Sequence, residues 1–268
     1  MSVIDPKVAA RIAAERDYHE QHYAQDPGPT GVNFDLADST HRKLRNLTWA
    51  HYETVLEHFG RDLRDRRILV AGCGTGDVAL NLARNGAVVD AFDLSPTAIA
   101  ICRERAAACQ LPQVRLFVSS CEELEGEPDS YDAVVGNMVL HHIDIPTAMR
   151  QFHRLLRPGG LGAFAEWKEY AVVDRVRRWA FFRRLFPSGG AGGYATDHER
   201  KLNDQDFAVI RARFPDMRLQ YRYVIRGKLD YFLAPRGYWV EAVDYWLLRQ
   251  MPWLRPFTDG VVVSFSKS

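Results

Sequence analysis

The chain has 268 residues with 47% hydrophobic content, enough for one sizeable core and few enough for a single large domain or a core domain with insertions. A formal net charge of +1 argues against a surface given over to nucleic acid, and no apolar run is long enough to span a membrane. The four cysteines, Cys73, Cys102, Cys109 and Cys121, show no C-x-x-C pair and no histidine spacing suited to zinc, so they read as reduced thiols, with no metal expected. The N-terminus carries Asp5, Lys7, Arg11, Glu15 and Arg16 and lacks a signal peptide's apolar centre, which leads us to expect a cytoplasmic protein.

Residues 5–24 predict a helix with Val8, Ile12 and Ala13 on one side, ended by Asp26-Pro27-Gly28-Pro29, and Tyr18, His19, His22 and Tyr23 cluster near its end. Residues 40–59 predict a second helix with Leu44, Leu47, Tyr52, Val55, Leu56 and Phe59 along one face. Ile68 to Ala71 is an apolar run of the kind found in buried parallel strands. It is followed by the turn Gly72-Cys73-Gly74-Thr75-Gly76 and a helix from Asp77 that stops at Asn85-Gly86. The next strand, Ala87 to Phe92, delivers Asp93 at its carboxyl end, where a carboxylate can accept two hydrogen bonds from a ribose diol. The glycine spacing is G-x-G-x-G, not the G-x-G-x-x-G of a dinucleotide fingerprint. Ser95 and Pro96 open a helix to about Cys109, Val114 to Val118 is the third strand, and Tyr131 to Gly136 the fourth. A helix over 146–156 ends at Arg157-Pro158-Gly159-Gly160, and a fifth strand runs from Leu161 to Trp167.

Four motifs stand in one order: 70–76, Asp93-Leu94-Ser95-Pro96, Asn137-Met138-Val139-Leu140-His141-His142, and 155–160. Together they resemble the class I S-adenosylmethionine-dependent methyltransferases of the small-molecule type, closely over 67–167 and loosely on the flanks. The resemblance implies a Rossmann-like fold, α/β and doubly wound, with a mostly parallel seven-stranded sheet, N-terminal helices and C-terminal helical insertions. It implies S-adenosyl-L-methionine as cofactor and S-adenosyl-L-homocysteine as product, held by Gly72, Cys73, Gly74, Gly76, Asp93, Leu94, Ser120, Cys121, Asn137 and Met138. Many relatives carry Asp at the place of Ser120 to meet the adenine amino group. Ser120 offers no charge there, while a backbone role for Cys121 survives. His142, with His141 as the next candidate, is placed to take a proton from an acceptor, and a purely scaffolding histidine accounts for the motif equally well. Tyr23 in an N-terminal lid, and Trp167 with Glu166 at the end of the fifth strand, are candidates for touching the acceptor; packing on the core is the alternative for each.

The last hundred residues depart from the minimal fold. A basic helix over 174–186, with five arginines and one acid, suits either an anionic membrane surface or plain solvation, and the glycine-rich 188–193 reads as a loop. Asn203 to Phe214 predicts a helix, Met217 to Ile225 a sixth strand, and Gly260 to Ser266 a seventh that enters antiparallel. Between these strands lies an aromatic-rich insertion in which Tyr238 is a further acceptor-contact candidate. We therefore divide the chain into a helical lid (1–60), a cofactor-binding core (61–170) and a remainder with acceptor-binding insertions (171–268). The expected activity is methyl transfer to a small apolar or aromatic acceptor, most simply O-methylation in secondary or lipid-like metabolism. A cyclase or other non-methylating enzyme on the same scaffold is the alternative. No nucleic acid partner is expected, because 137–140 lacks an Asn-Pro-Pro-Tyr type pattern, and the oligomeric state is left open.

Overall fold

A computed structural model describes residues 4–26, 28, 32, 47–169, 200–224 and 238–268. Helices α1 (Pro6–Gln25) and α2 (Leu47–Phe59) precede β1 (Arg67–Ala71), α3 (Asp77–Arg84), β2 (Val88–Asp93), α4 (Pro96–Ala108), β3 (Val114–Val118) and β4 (Tyr131–Asn137). After a short 3-10 turn, Leu140–His142, come α5 (Ile145–Leu155), β5 (Leu156–Trp167), α6 (Asp204–Arg213), β6 (Arg218–Arg222), α7 (Tyr238–Gln250), a second 3-10 turn and β7 (Gly260–Ser266). The seven strands form one sheet in the order β3-β2-β1-β4-β5-β7-β6, parallel except for β7, which runs antiparallel to both of its neighbours. The chain moves outward from β1 to β3 and then returns to the other side of β1 for β4. That reversal opens a crevice at the carboxyl ends of β1 and β4, where such sheets bind ligands.

Local chemistry explains the boundaries. Ser95 caps α4 by accepting from Ala98 N at 3.0 Å with Pro96 next in line, and Asp144 caps α5 by accepting from Thr147 N at 3.0 Å. Asn203 and Asp206 form a reciprocal capping box at the start of α6. One boundary differs from expectation. The 157–160 segment does not lie outside the fifth strand: β5 starts at Leu156, pairs with Tyr131, and shifts register before Leu161 meets Ala133. Gly159, at φ +76°, makes that irregularity possible.

Apolar side chains fill both faces of the sheet. On one, Phe152 of α5, Phe164 of β5, Phe214 and Phe265 stack in a chain, each buried. On the other, Tyr52 and Val55 of α2 pack with Leu82 of α3 against Val70 and Val135. The 1–60 segment expected as a lid therefore serves two purposes. Helix α2 is a core element of the sheet face, its first amide donating to Tyr223 Oη at 2.7 Å, and lends Trp49 and His51 to the crevice wall, while α1 lies over the crevice itself. No helix among the described residues is long and apolar enough to cross a membrane.

Candidate functional site

The turn after β1 is built from left-handed backbone, with Gly72, Gly74 and Gly76 at φ +60°, +51° and +98°. A Cβ on Gly76 would lie 2.2 Å from Cys102 Sγ, and one on Gly74 would lie 2.7 Å from Tyr23 Oη. Asp93 closes the turn from the end of β2: Oδ2 accepts from Gly74 N at 2.8 Å and Oδ1 from Ser95 N at 3.0 Å. A carboxylate offers about four lone-pair directions, so two remain for a diol.

The loops after β3 and β4 supply the opposite wall. Ser120 lines the cavity, but its hydroxyl is turned into its own loop, accepting from Glu123 N at 3.2 Å and donating to Glu123 Oε2 at 3.0 Å. Cys121 beside it is buried, and burial pushes its thiol pKa well up. Asn137 Oδ1 is buried with no hydrogen-bond partner among the described residues, an acceptor suited to an ammonium group. Met138 follows at φ +54°, a strained conformation for a side chain of its size, fixed by its amide donating to Ala165 O at 2.9 Å. Strain of this kind collects at functional turns.

Glu166 holds that turn. Its Oε1 accepts from Val139 N at 2.7 Å and Leu140 N at 2.6 Å, and its Oε2 lies 2.7 Å from His141 Nδ1. The side chain is fully buried, so Glu166 does not face the cavity as the end of β5 suggested; it holds the turn of Val139, Leu140 and His141 in place. His141 is spent on this contact. His142 instead turns its Nδ1 to Glu15 Oε2, 2.9 Å away on α1.

Helix α1 is fastened across the crevice at both ends. Arg11 Nη2 donates to Glu122 Oε1 at 2.6 Å, and Glu20 accepts from Ser95 Oγ and Thr97 Oγ1, both at 2.5 Å, at the start of α4. Those hydroxyls hold the Glu20 carboxyl below its ordinary pKa. Between the fastenings, His19 lies edge-on to His142 with ring centroids 5.0 Å apart, and burial, then the nearby His142, lowers its pKa. Burial first, and Asp93 second, raises the Tyr23 phenol well above its usual value. Tyr23 thus sits over the glycine turn, on the side expected for the cofactor.

These groups enclose one cavity of about 670 Å³, within the range of small-molecule sites. Its walls bring together Gly72, Cys73, Gly74, Gly76, Asp93, Leu94, Ser120, Cys121, Asn137, Met138, His141, His142, Tyr23 and Trp167, which are the candidate positions of five separate loops and α1. Trp167, 37% exposed, stands at the rim with its ring 6.0 Å from that of Tyr223. Tyr238 begins α7, but its side chain lies outside the described residues, as do the basic segment 174–186 and the glycine-rich 188–193.

Two contributors escaped sequence reasoning. Glu15 lies in the polar middle of a helix and acquires meaning only when α1 is laid over His142. His51 of α2 is fully buried at the cavity wall, and neither ring nitrogen has a hydrogen bond among the described residues. Burial lowers its pKa to about 3, so it is a neutral imidazole. A histidine on a helix otherwise read as apolar gives no local signal of this.

A family model described as "Methyltransferase domain" matches residues 68–160, the span from β1 to the turn in β5. A ubiquinone biosynthesis O-methyltransferase of Methylocella silvestris is 34% identical over 167 residues, 60% of this chain and 62% of that protein. A demethylmenaquinone methyltransferase of Chlorobaculum tepidum is 30% identical over 125 residues, 46% of this chain and 47% of its own length. The chain thus spans roughly half to three-fifths of the curated relatives it matches. Among solved structures, a putative sarcosine dimethylglycine methyltransferase from Galdieria sulphuraria superposes with a TM-score of 0.57 at 17% identity, covering 94% of this chain and 98% of the other. The matched segment, which carries the glycine turn, Asp93 and the His141–His142 turn on this strand order, is similar to S-adenosylmethionine-dependent methyltransferases and is identified by that likeness as a methyltransferase domain.

Proposed function

We propose that the protein transfers the methyl group of S-adenosylmethionine to a hydroxyl of a small, largely apolar aromatic acceptor. The observation that carries this reading is the opening of the glycine turn, Asp93 and the His142–Glu15 pair onto one cavity. Asp93 takes the ribose diol with its two remaining lone-pair directions, and Asn137 Oδ1 accepts from the ammonium of the methionine moiety. The Ser120 hydroxyl is committed to Glu123, so the base is met through the backbone amide of Cys121. Trp167 and the neighbouring Trp49 supply apolar walls for the acceptor.

In the transfer, an oxygen lone pair of the acceptor forms the new bond to the methyl carbon. The carbon–sulfur bond breaks with its electrons going to sulfur, which leaves as the neutral thioether of S-adenosylhomocysteine. The hydroxyl proton passes to the His142 imidazole. The sulfonium carbon is already electrophilic, so alignment and removal of water supply most of the acceleration, up to about 7 to 11 kcal/mol in well-oriented systems. A quinol-like acceptor fits the two relatives named for quinone biosynthesis and the apolar rim.

The reading is tested by calorimetry and by product mass. S-Adenosylhomocysteine is expected to bind while NAD does not, and incubation of S-adenosylmethionine with a short-chain prenylated catechol should give a product heavier by one methylene. Binding of NAD without S-adenosylhomocysteine would overturn it. Asp93→Asn keeps one oxygen for the loop amides but removes the charge offered to the ribose. It should weaken S-adenosylhomocysteine by about 1.5 to 3 kcal/mol, roughly ten- to a hundred-fold in Kd. Unchanged affinity in a variant of normal thermal stability would reject the ribose assignment.

A further inference from the structure

The reach of α1 over the cavity brings three donor atoms to one point. Glu15 and His19 lie one turn apart on the same face of the helix, and the 3-10 turn after β4 presents His142 to them. His142 Nδ1 is 2.9 Å and His19 Nε2 3.7 Å from Glu15 Oε2, and all three ligating atoms lie within 4.8 Å of one another. Four-coordinate zinc with bonds of about 2.0 to 2.1 Å sets its ligands roughly 3.4 Å apart, so closing this cluster on an ion takes side-chain shifts of about an ångström or less.

The geometry points to a divalent transition-metal site formed by Glu15, His19 and His142 on the acceptor side of the cavity. This rests on the methyl-transfer reading for its use but not for its existence. Two imidazoles and one carboxylate suit Zn²⁺, Fe²⁺ or Mn²⁺ far better than the all-oxygen preference of Mg²⁺ or Ca²⁺. Burial supports the ligand set: Glu15 is fully buried, and low-dielectric surroundings strengthen a carboxylate–cation bond. Three protein ligands leave a coordination position open to the cavity, the arrangement of catalytic rather than structural metal sites. An acceptor hydroxyl there would release its proton to solvent water near neutral pH, as metal-bound water does, and its oxygen would be held for attack on the methyl carbon. His142 then acts on the acceptor as a metal ligand.

The cluster also accounts for the fastening of α1. A site shared between a helix and a loop exists only while the helix lies across the crevice, which Arg11–Glu122 and Glu20–Ser95 enforce. Metal binding and closure over the cofactor would therefore reinforce each other.

The test uses the full chain, stripped with a chelator, shown by calorimetry to bind S-adenosylhomocysteine, and then titrated with Zn²⁺, Mn²⁺ or Mg²⁺. One equivalent of Zn²⁺ or Mn²⁺ is expected to bind, with Mg²⁺ much weaker. Glu15→Ala and His19→Ala should each lower affinity by more than the roughly 10- to 100-fold that follows loss of an outer-shell partner. His58→Ala, at an exposed histidine on α2, should leave it unchanged. Circular dichroism and retained S-adenosylhomocysteine binding report that the variants fold. Substitution with Co²⁺ provides a second readout, since visible bands of a four- or five-coordinate centre should vanish in both α1 variants. Absence of stoichiometric binding, or binding indifferent to both α1 variants, overturns the proposal. Full methylation by the stripped enzyme overturns the metal's catalytic part while leaving methyl transfer intact, whereas failure to bind S-adenosylhomocysteine strikes the methyl-transfer reading and leaves the metal titration to stand or fall separately.

Discussion

His142→Ala is expected to lower turnover by about a hundred- to ten-thousand-fold while leaving S-adenosylhomocysteine affinity nearly intact. The two effects are expected to separate because His142 is tied to Glu15 of α1, whereas the proposed cofactor contacts belong to Asp93 and the glycine turn. Whether the proton leaves to the imidazole or from an oxygen already bound to a cation, the acceptor has to ionise, and the side chain that assists ionisation is the one removed. A hydroxyl acceptor ionises unaided as pH rises, so the variant should recover part of its rate in alkali. His141→Ala serves as the contrast. That ring lies 2.7 Å from the buried Glu166 carboxylate, and its loss strands a charge and should show first as lower thermal stability. Initial rates of wild type and both variants across pH, with the quinol-like acceptor, make the measurement. Equal turnover of His142→Ala and wild type at neutral pH would remove His142 from the chemistry.

Acid should destabilise the fold through His51. In the folded chain burial depresses this imidazole to about pKa 3, against an ordinary value near 6.5 in the unfolded chain. Its contribution is therefore fully present above about pH 6.5 and is lost as pH falls toward 3, because the unfolded state takes up a proton that the folded state refuses. The slope is about 1.4 kcal/mol per pH unit, amounting to several kcal/mol across the window, a large part of a typical domain's stability. Urea unfolding of wild type and His51→Leu from pH 7 to 4 isolates the effect, since all other titrations are common to both. The wild-type curve should fall more steeply by about that slope. Parallel curves would show that the ring finds water or a ligand when it is protonated.

What was legible in the sequence was whatever depends on neighbours along the chain. Ile68 to Ala71 is a strand because four successive apolar side chains have two buried faces to fill, and the glycines at 72, 74 and 76 mark a turn because only they adopt its backbone cheaply. Ser95 with Pro96, Asp144, and Asn203 with Asp206 announce helix starts by capping chemistry that acts within three residues. The apolar run within Gly260 to Ser266 likewise marks a strand, while its place between β5 and β6 is set by pairing with distant segments.

Contacts between distant segments were not legible, because no local spacing encodes them. That Glu166 turns inward depends on β5 placing it beneath the amides of Val139 and Leu140, and a carboxylate at a strand end reads the same whether it faces those amides or a substrate. That Ser120 is spent on Glu123 and not on a ligand depends on how its loop folds back. The division of 1–60 into a core helix and a covering helix was likewise decided by packing, since both carry apolar positions at helical spacing and only the sheet chooses which of them it buries. The sequence by itself determined the strand order's ingredients and the cofactor turn, both products of backbone conformation and short-range capping. Only the tertiary structure decided that Glu15, His19 and His142 meet, because their encounter needs α1 laid across the carboxyl ends of the strands, more than a hundred residues from the turn it covers.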